Sequence, residues 1–216
     1  MCLLTISTMR IEKIQPSRHK AGRVLLFLED GSLLKITEQE LLDFGLRPGD
    51  VLEEETLERL RESAGSSRVK GRAAEMIGRR AMSRAELERK LREKGASEND
   101  AAYAAQWLEA IGAINDADYA AALVRHCAAR GYGPGRTREK LREKGVPREL
   151  WDAALEELPG NEEQILRFLE GKLRGSQPEE KEKKRLTDAL LRRGYPWGDI
   201  RAAWNRLGAE TDGWDE

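Results

Sequence analysis

Eight basic side chains, Arg79, Arg80, Arg84, Arg89, Arg130, Arg136, Arg138 and Lys140, are the residues of this chain best suited to do chemistry. Guanidinium and ammonium groups hold carboxylates and phosphates, so that chemistry is non-covalent recognition of an acidic surface or a nucleic-acid backbone. They fall in two basic blocks. Residues 68–94 carry ten Lys/Arg against four Asp/Glu, and residues 125–148 carry eight against two, Glu139 and Glu143. Between them, residues 95–124 contain five acids and no Lys or Arg. For any one residue, a solvated helix face laced with i,i+4 pairs explains such charge. The alternation of whole blocks leaves open a second reading, a stripe of equivalent basic helices that meets an acidic surface on a filament or nucleic-acid phosphates.

Covalent chemistry finds no comparable constellation. His19 and His126 are the only histidines, and neither has a partner at metal-ligand or triad spacing. Cys127 follows His126 but shares an apolar helix face with Tyr119, Leu123 and Val124, which marks it as a buried structural cysteine. The glycines of GYGPG (131–135) have no strand before them and no Lys-Ser/Thr after them, so they serve a helix–helix turn. No enzyme activity, cofactor or metal is expected.

The elements that must position the basic residues can be read from composition and spacing. The chain has 216 residues, 39% apolar and 36% charged, with a formal charge of −1. That balance excludes a uniformly basic coating protein, and the helical spacing of the apolar residues excludes a disordered chain. No stretch approaches the roughly 20 apolar residues of a membrane helix. The opening MCLLTIST is too short for a signal peptide, and Met9 is read as an alternative start. Cys2 and Cys127 make no disulfide framework, which fits a reducing cytoplasm.

Residues 10–36 read as strand, with Asp30-Gly31 supplying a tight hairpin turn. Thr37 and Glu40 have capping-box spacing ahead of a short helix stopped by Gly45, Pro48-Gly49-Asp50 is a turn, and EEETLERLRE is a charged helix. The small residues SAGSS (63–67) are expected to break that helix and to end an N-terminal β-rich domain, 9–63.

From Arg68 onward the pattern is helical and repeats about every 50 residues. LREKG stands at 91–95 and again at 141–145. Ser83 and Glu86 form an S-x-x-E start signal before the first copy, and Gly133-Pro134 takes the same offset before the second. Gly95 and Gly145 are helix stops, with Lys94 and Lys144 at the negative helix end. Trp107, Leu108 and Ile111 form the apolar face that follows, matched by Trp151, Ala154, Leu155 and Leu158. A fainter third copy has 162–173 as its first helix, LLRRGYP at 190–196, and a last face of Ile200, Ala203, Trp204 and Leu207. Its longer connection, QPEEKEKKR, implies an insertion or an extended second helix. The fold class is therefore mainly α: a tandem array of three three-helix repeats (68–113, 114–160, 161–210) behind a small β-rich (α+β) domain.

The stretch 114–146 is specific enough to carry a family resemblance. The D-x-x-[FY]-A pattern at Asp116–Ala120, the [RK]-G-x-G-P step at Arg130–Pro134 and the helix ending at Lys144-Gly145 resemble the central repeat of the RecX family, regulators of the RecA recombinase. RRAMSRAELERKLREKG resembles the family's first repeat, and the sheet segment ending in GLRPGD resembles one found in many members. Thr137 stands where the family usually has a branched aliphatic residue, and the slightly negative total charge departs from many basic relatives. The resemblance implies a cytoplasmic, monomeric inhibitor of RecA acting in DNA repair and the SOS response. It would lie in the groove of the RecA–single-stranded DNA filament, touching the DNA directly or through the filament, with no membrane involved. The eight basic residues above are the contact candidates. A helical DNA-binding architectural module acting without a recombinase is the alternative. Groove reading by a last helix is disfavoured, because 98–111 contains no Lys or Arg and the second repeat's equivalent has only Arg148.

Overall fold

The computed structural model describes residues 8–208; Cys2 and the Met1 side of the alternative start lie outside the described residues. Asp30-Gly31 makes the expected turn: Gly31 has φ 80°, Asp30 accepts the Ser32 N–H at 2.8 Å, and strands β2 (Arg23–Leu28) and β3 (Leu33–Thr37) pair antiparallel on either side. The strand reading resolves further into β1 (Thr8–Pro16), which pairs with β2 through a bulge between Ile11 and Lys13. A short β4 (Val51–Glu53), absent from the sequence reading, pairs with β1, giving the order β3-β2-β1-β4.

Alternation along the strands puts Ile11, Val24, Leu26, Leu28 and Ile36 on one buried face. Helix α1 (Glu38–Asp43) and helix α2 (Glu54–Arg79) supply the rest of that core, including Leu57, Leu60 and Ala64. The capping box is present as read: Thr37 accepts the Glu40 N–H at 3.0 Å, and Glu40 accepts the Thr37 N–H at 2.6 Å.

The helix break expected at 63–67 does not occur. Helix α2 runs unbroken from Glu54 to Arg79, straight through SAGSS. The physical reason is tertiary. Ala64 packs into the core, while the Ser63 and Ser67 hydroxyls donate to the buried Glu40 carboxylate at 2.7 and 2.8 Å. The Ser67 carbonyl also accepts from Arg23 Nη2 at 2.9 Å. Small residues let the helix approach, and their hydroxyls satisfy a buried charge, which outweighs their weak helix propensity.

The later helices are α3 (Arg84–Glu93), α4 (Glu98–Ala110), α5 (Asp116–Ala129), α6 (Pro134–Glu143), a short 3-10 turn (Arg148–Leu150) running into α7 (Trp151–Leu155), α8 (Asn161–Leu173), α9 (Glu180–Arg192) and α10 (Trp197–Arg206). Each helix–helix–helix group is thus present. The longer third connection is an extended second helix, since α9 has 13 residues where α3 and α6 have 10. Ile111 is the one misread member of the repeat faces: α4 ends at Ala110, and Ile111 is 58% exposed.

Two compact units form. One holds the described residues up to Arg79 together with Glu88–Ala110; the other holds Arg80–Leu87 and the described residues from Ile111 on. In the first, α2 packs along α4, and Lys70 lies over the rings of Tyr103 (4.2 Å) and Trp107 (5.7 Å). In the second, one core gathers Ala120, Val124, Leu141, Val146 and Ala154, edged by Trp151 and Leu155. Another gathers Ile165, Leu169, Leu190, Ile200, Ala203 and Trp204. The Trp204 indole N–H, fully buried, donates to Thr187 at 2.9 Å.

Candidate functional site

The repeated helix stops also join the repeats. In the second unit the N-terminus of α6 receives the turn that ends α9: the Gly133 and Gly135 N–H groups donate to the carbonyls of Arg193 (2.8 Å) and Gly194 (2.9 Å). The start of α3 receives the end of α6 in the same way, with the Ser83 hydroxyl donating to the Lys144 carbonyl. At both seams the electropositive start of one second helix meets the electronegative end of the next, satisfying backbone groups that helix ends leave open. Close approach demands small residues. A Cβ on Gly194 would overlap the Arg136 backbone, and one on Gly145 would meet the Ala85 Cβ at 3.0 Å, whereas one on Gly95 would meet nothing.

A buried carboxylate reinforces the seam between α3 and α6. Glu86 donates its N–H to Ser83 Oγ at 3.0 Å, while its side chain takes Arg80 Nη2 at 2.5 Å and faces Lys144 Nζ at 3.8 Å. Nearby, Asp116 accepts the Arg84 N–H at 2.8 Å. The Tyr119 phenol is pushed above its usual range, first by burial and then by the Glu86 charge. Arg80 is therefore partly a seam residue, anchored by its carboxylate partner. Thr137 is accounted for in the same region. Its hydroxyl donates to the Gly133 carbonyl at 2.9 Å, so a buried polar group replaces an aliphatic one without an unmet hydrogen bond.

The eight candidates are not drawn into a single site. Arg79, at the exposed end of α2, and Arg89, 3.9 Å from Glu93, belong to the first unit. There Arg79 lines a cleft of about 360 Å³ with Arg72, Glu75, Met76 and Lys94, and Arg72 donates to the Lys94 carbonyl at 2.9 Å. The other six lie in the second unit. Arg136 pairs with Glu139 at 2.5 Å and Lys140 with Glu143 at 2.6 Å, both one turn away on α6. Those hydrogen bonds raise the Arg136 pKa and lower that of Glu143. Arg138 is exposed on the same helix, and Arg130 is exposed at the end of α5.

Two arginines missed in the sequence gather beside Arg130. Arg167 of α8 and Arg193, at the end of α9, line a cleft of about 460 Å³ with Arg130, Gln164, Phe168 and Tyr195. Arg193 lies over the Phe168 ring at 4.4 Å, and Arg167 pairs with Glu163 at 2.7 Å. Gly131, at φ 68°, leaves the room that the Arg193 guanidinium occupies. A signal for Arg193 existed, since it stands before the third helix-stop glycine where Lys94 and Lys144 stand in the other copies.

Cys127 is buried, and burial raises its thiol pKa, with the Thr137 hydrogen bond opposing; this is a packing residue and not a thiolate. Among the described residues no group of three or more His, Cys, Asp and Glu is placed to hold a metal, and no helix is long and apolar enough to cross a membrane.

A small antiparallel sheet followed by three helix–helix–helix groups defines a helical-repeat protein. Models of the RecX family's first, second and third three-helix domains match residues 70–108, 115–155 and 161–204. The chain belongs to the RecX family. It is 32% identical over 130 residues to the regulatory protein RecX of Pseudomonas putida, covering 59% of this chain and 83% of that one. It is 36% identical over 134 residues to that of Xanthomonas oryzae pv. oryzae, covering 61% and 84%. A crystal structure of regulatory protein RecX superposes with a TM-score of 0.72 at 22% identity, covering 91% of this chain and 99% of the other. RecX from Lactobacillus salivarius gives 0.59 at 22% identity over 67% of this chain and 97% of that one, and both likenesses concern the fold. The chain is thus a RecX-type regulatory protein.

Proposed function

We propose that this chain inhibits the RecA recombinase by lying in the groove of the RecA–single-stranded DNA filament. There it bridges neighbouring subunits and limits filament extension, ATP hydrolysis, strand exchange and co-protease activity. The observation that carries the reading is the Arg130–Arg167–Arg193 cleft, which adds a concentrated cationic site to the exposed basic face of α6. Exposed pairs such as Arg136–Glu139 and Arg167–Glu163 are worth little in water, roughly 0–1 kcal/mol each, so partner carboxylates or phosphates can exchange for them at small cost. Three repeats, 68–113, 114–160 and 161–210, each offering modest contacts, gain affinity together along a polymer. The protein acts as a cytoplasmic monomer, with the filament as its partner and Arg79, Arg80, Arg84, Arg89, Arg130, Arg136, Arg138 and Lys140 among its contacts.

Charge reversal tests the site. Arg130→Glu with Arg193→Glu should weaken inhibition of RecA's DNA-dependent ATPase by about ten-fold or more, since removing a hydrogen bond to a charged group costs on the order of 1.5–3 kcal/mol. A double variant that keeps the wild-type melting temperature and inhibits as well as wild type would remove this cleft from the interface.

A further inference from the structure

The core of the sheet domain accounts for one face of the sheet; the opposite face has a composition of its own. Strand pairing sets Lys13, Phe27 and Leu33 in one cross-strand row and Gln15, Leu25 and Lys35 in the next, with Arg23 opposite Thr37 beyond them. Lys13 and Lys35 are exposed, Leu33 is 45% exposed, and Leu25 and Phe27 are half-buried. At the β3 side this face deepens into a cleft of about 360 Å³, walled by Ser17, His19, Lys20, Arg23, Leu25, Leu33, Lys35 and Arg68 of α2. Its floor is apolar, its rim is cationic, and among the described residues no acidic side chain lines it. Lys20 pairs outside the cleft with Glu75 at 2.6 Å, and Arg23 is braced on the Ser67 carbonyl. The acids of the hairpin end are occupied with backbone groups: Glu29 accepts the Arg10 N–H at 3.1 Å, and Asp30 accepts that of Ser32.

From this arrangement we infer that the outer face of the N-terminal sheet binds single-stranded nucleic acid. Bases lie on the Phe27, Leu25 and Leu33 surface, and phosphates meet Lys13, Lys35, Arg23 and Arg68. An apolar strip of Leu25 and Leu33 that leads from the cleft to the neighbouring Phe27 ring, flanked by cations on adjacent strands, matches what a single strand presents: π-faces on one side and a regular anionic backbone on the other. An acidic peptide offers the charge but not the stacking surfaces. A second copy of the same face is repelled by its own cations. The inference stands apart from the RecA reading, because it concerns naked nucleic acid and a surface outside the helical repeats.

The test is fluorescence anisotropy of the full chain, without recombinase, against a labelled oligothymidine and an abasic oligodeoxyribose phosphate of equal length. Wild type should prefer the strand with bases. Lys35→Glu with Arg68→Glu should weaken binding by about ten-fold or more and lower the salt slope by about 0.7 for each phosphate no longer neutralised. Phe27→Leu should erase most of the preference for bases, a few-fold to ten-fold effect, with the salt slope unchanged. Melting temperatures of the variants establish that the sheet is folded, and Lys35→Arg should retain binding. The proposal is overturned if folded charge-reversed variants bind like wild type. It is equally overturned if the abasic strand competes as well as oligothymidine, which would make the face a general polyanion site with no contact to bases, or if polyglutamate does, which would make it a site for acidic protein. Inhibition of RecA ATPase by wild type, measured separately, tells failure here from failure of the regulator reading.

Discussion

At the scale of single residues, Glu40 shows how one side chain closes several accounts. Burial opposes its ionisation, but hydrogen bonds from the Thr37 backbone and from the Ser63, Ser67 and Thr37 side chains outweigh burial and hold its pKa below the ordinary 4.5. A group whose folded pKa is depressed stabilises the fold above its unfolded pKa and loses that contribution as pH falls through the folded value. Thermal melts from pH 7 down to pH 3 should therefore show an acid-side loss of stability that Glu40→Gln flattens. Glu40→Ala, which strands two hydroxyls and a helix start, should cost about 2–3 kcal/mol at neutral pH in urea unfolding. The capping role of Glu40 was legible in the sequence because it is local, three residues from Thr37. Its bonds to Ser63 and Ser67 were not, because 23 and 27 residues separate them and nothing in a run of small residues states what it packs against.

At the scale of elements, helix ends were the most readable part of the chain. Ser83, Gly133-Pro134, Gly95 and Gly145 act within one turn of themselves, so their types and spacing suffice. Their second use as seams was hidden, since it depends on which helix end comes to meet them. The same limit applies to the basic residues. Arg130 was recognised from its block, but Arg167 and Arg193 join it through the packing of α8 and α9 against the turn after α5. The three glycine stops separate the two roles experimentally. Gly95 and Gly194 have nearly equal φ, 85° and 84°, so alanine at either pays the left-handed penalty of roughly 1–2 kcal/mol. Only at Gly194 does the new Cβ also overlap a neighbouring repeat. Denaturant unfolding should show Gly194→Ala as clearly the more destabilising, and equal losses would argue against the seam.

At the scale of the whole molecule, the sequence reading of a β-rich start followed by three helical repeats is the architecture found, and the three family-model matches fall on those repeats. The boundary expected at 63–67 illustrates what periodicity misses: α2 crosses it as one helix and serves both the sheet core and the packing of α4. What the array does to the proposed RecA filament partner is a question of stoichiometry. A regulator seated in a filament should act on many RecA subunits per molecule, whereas a plain DNA binder acts only by covering nucleotides. The direct measurement is RecA's single-stranded-DNA-dependent ATP hydrolysis, titrated with this protein at fixed DNA. The account predicts suppression at protein concentrations well below those needed to coat the DNA. Unchanged hydrolysis, or suppression only in stoichiometric excess over nucleotides, would contradict it.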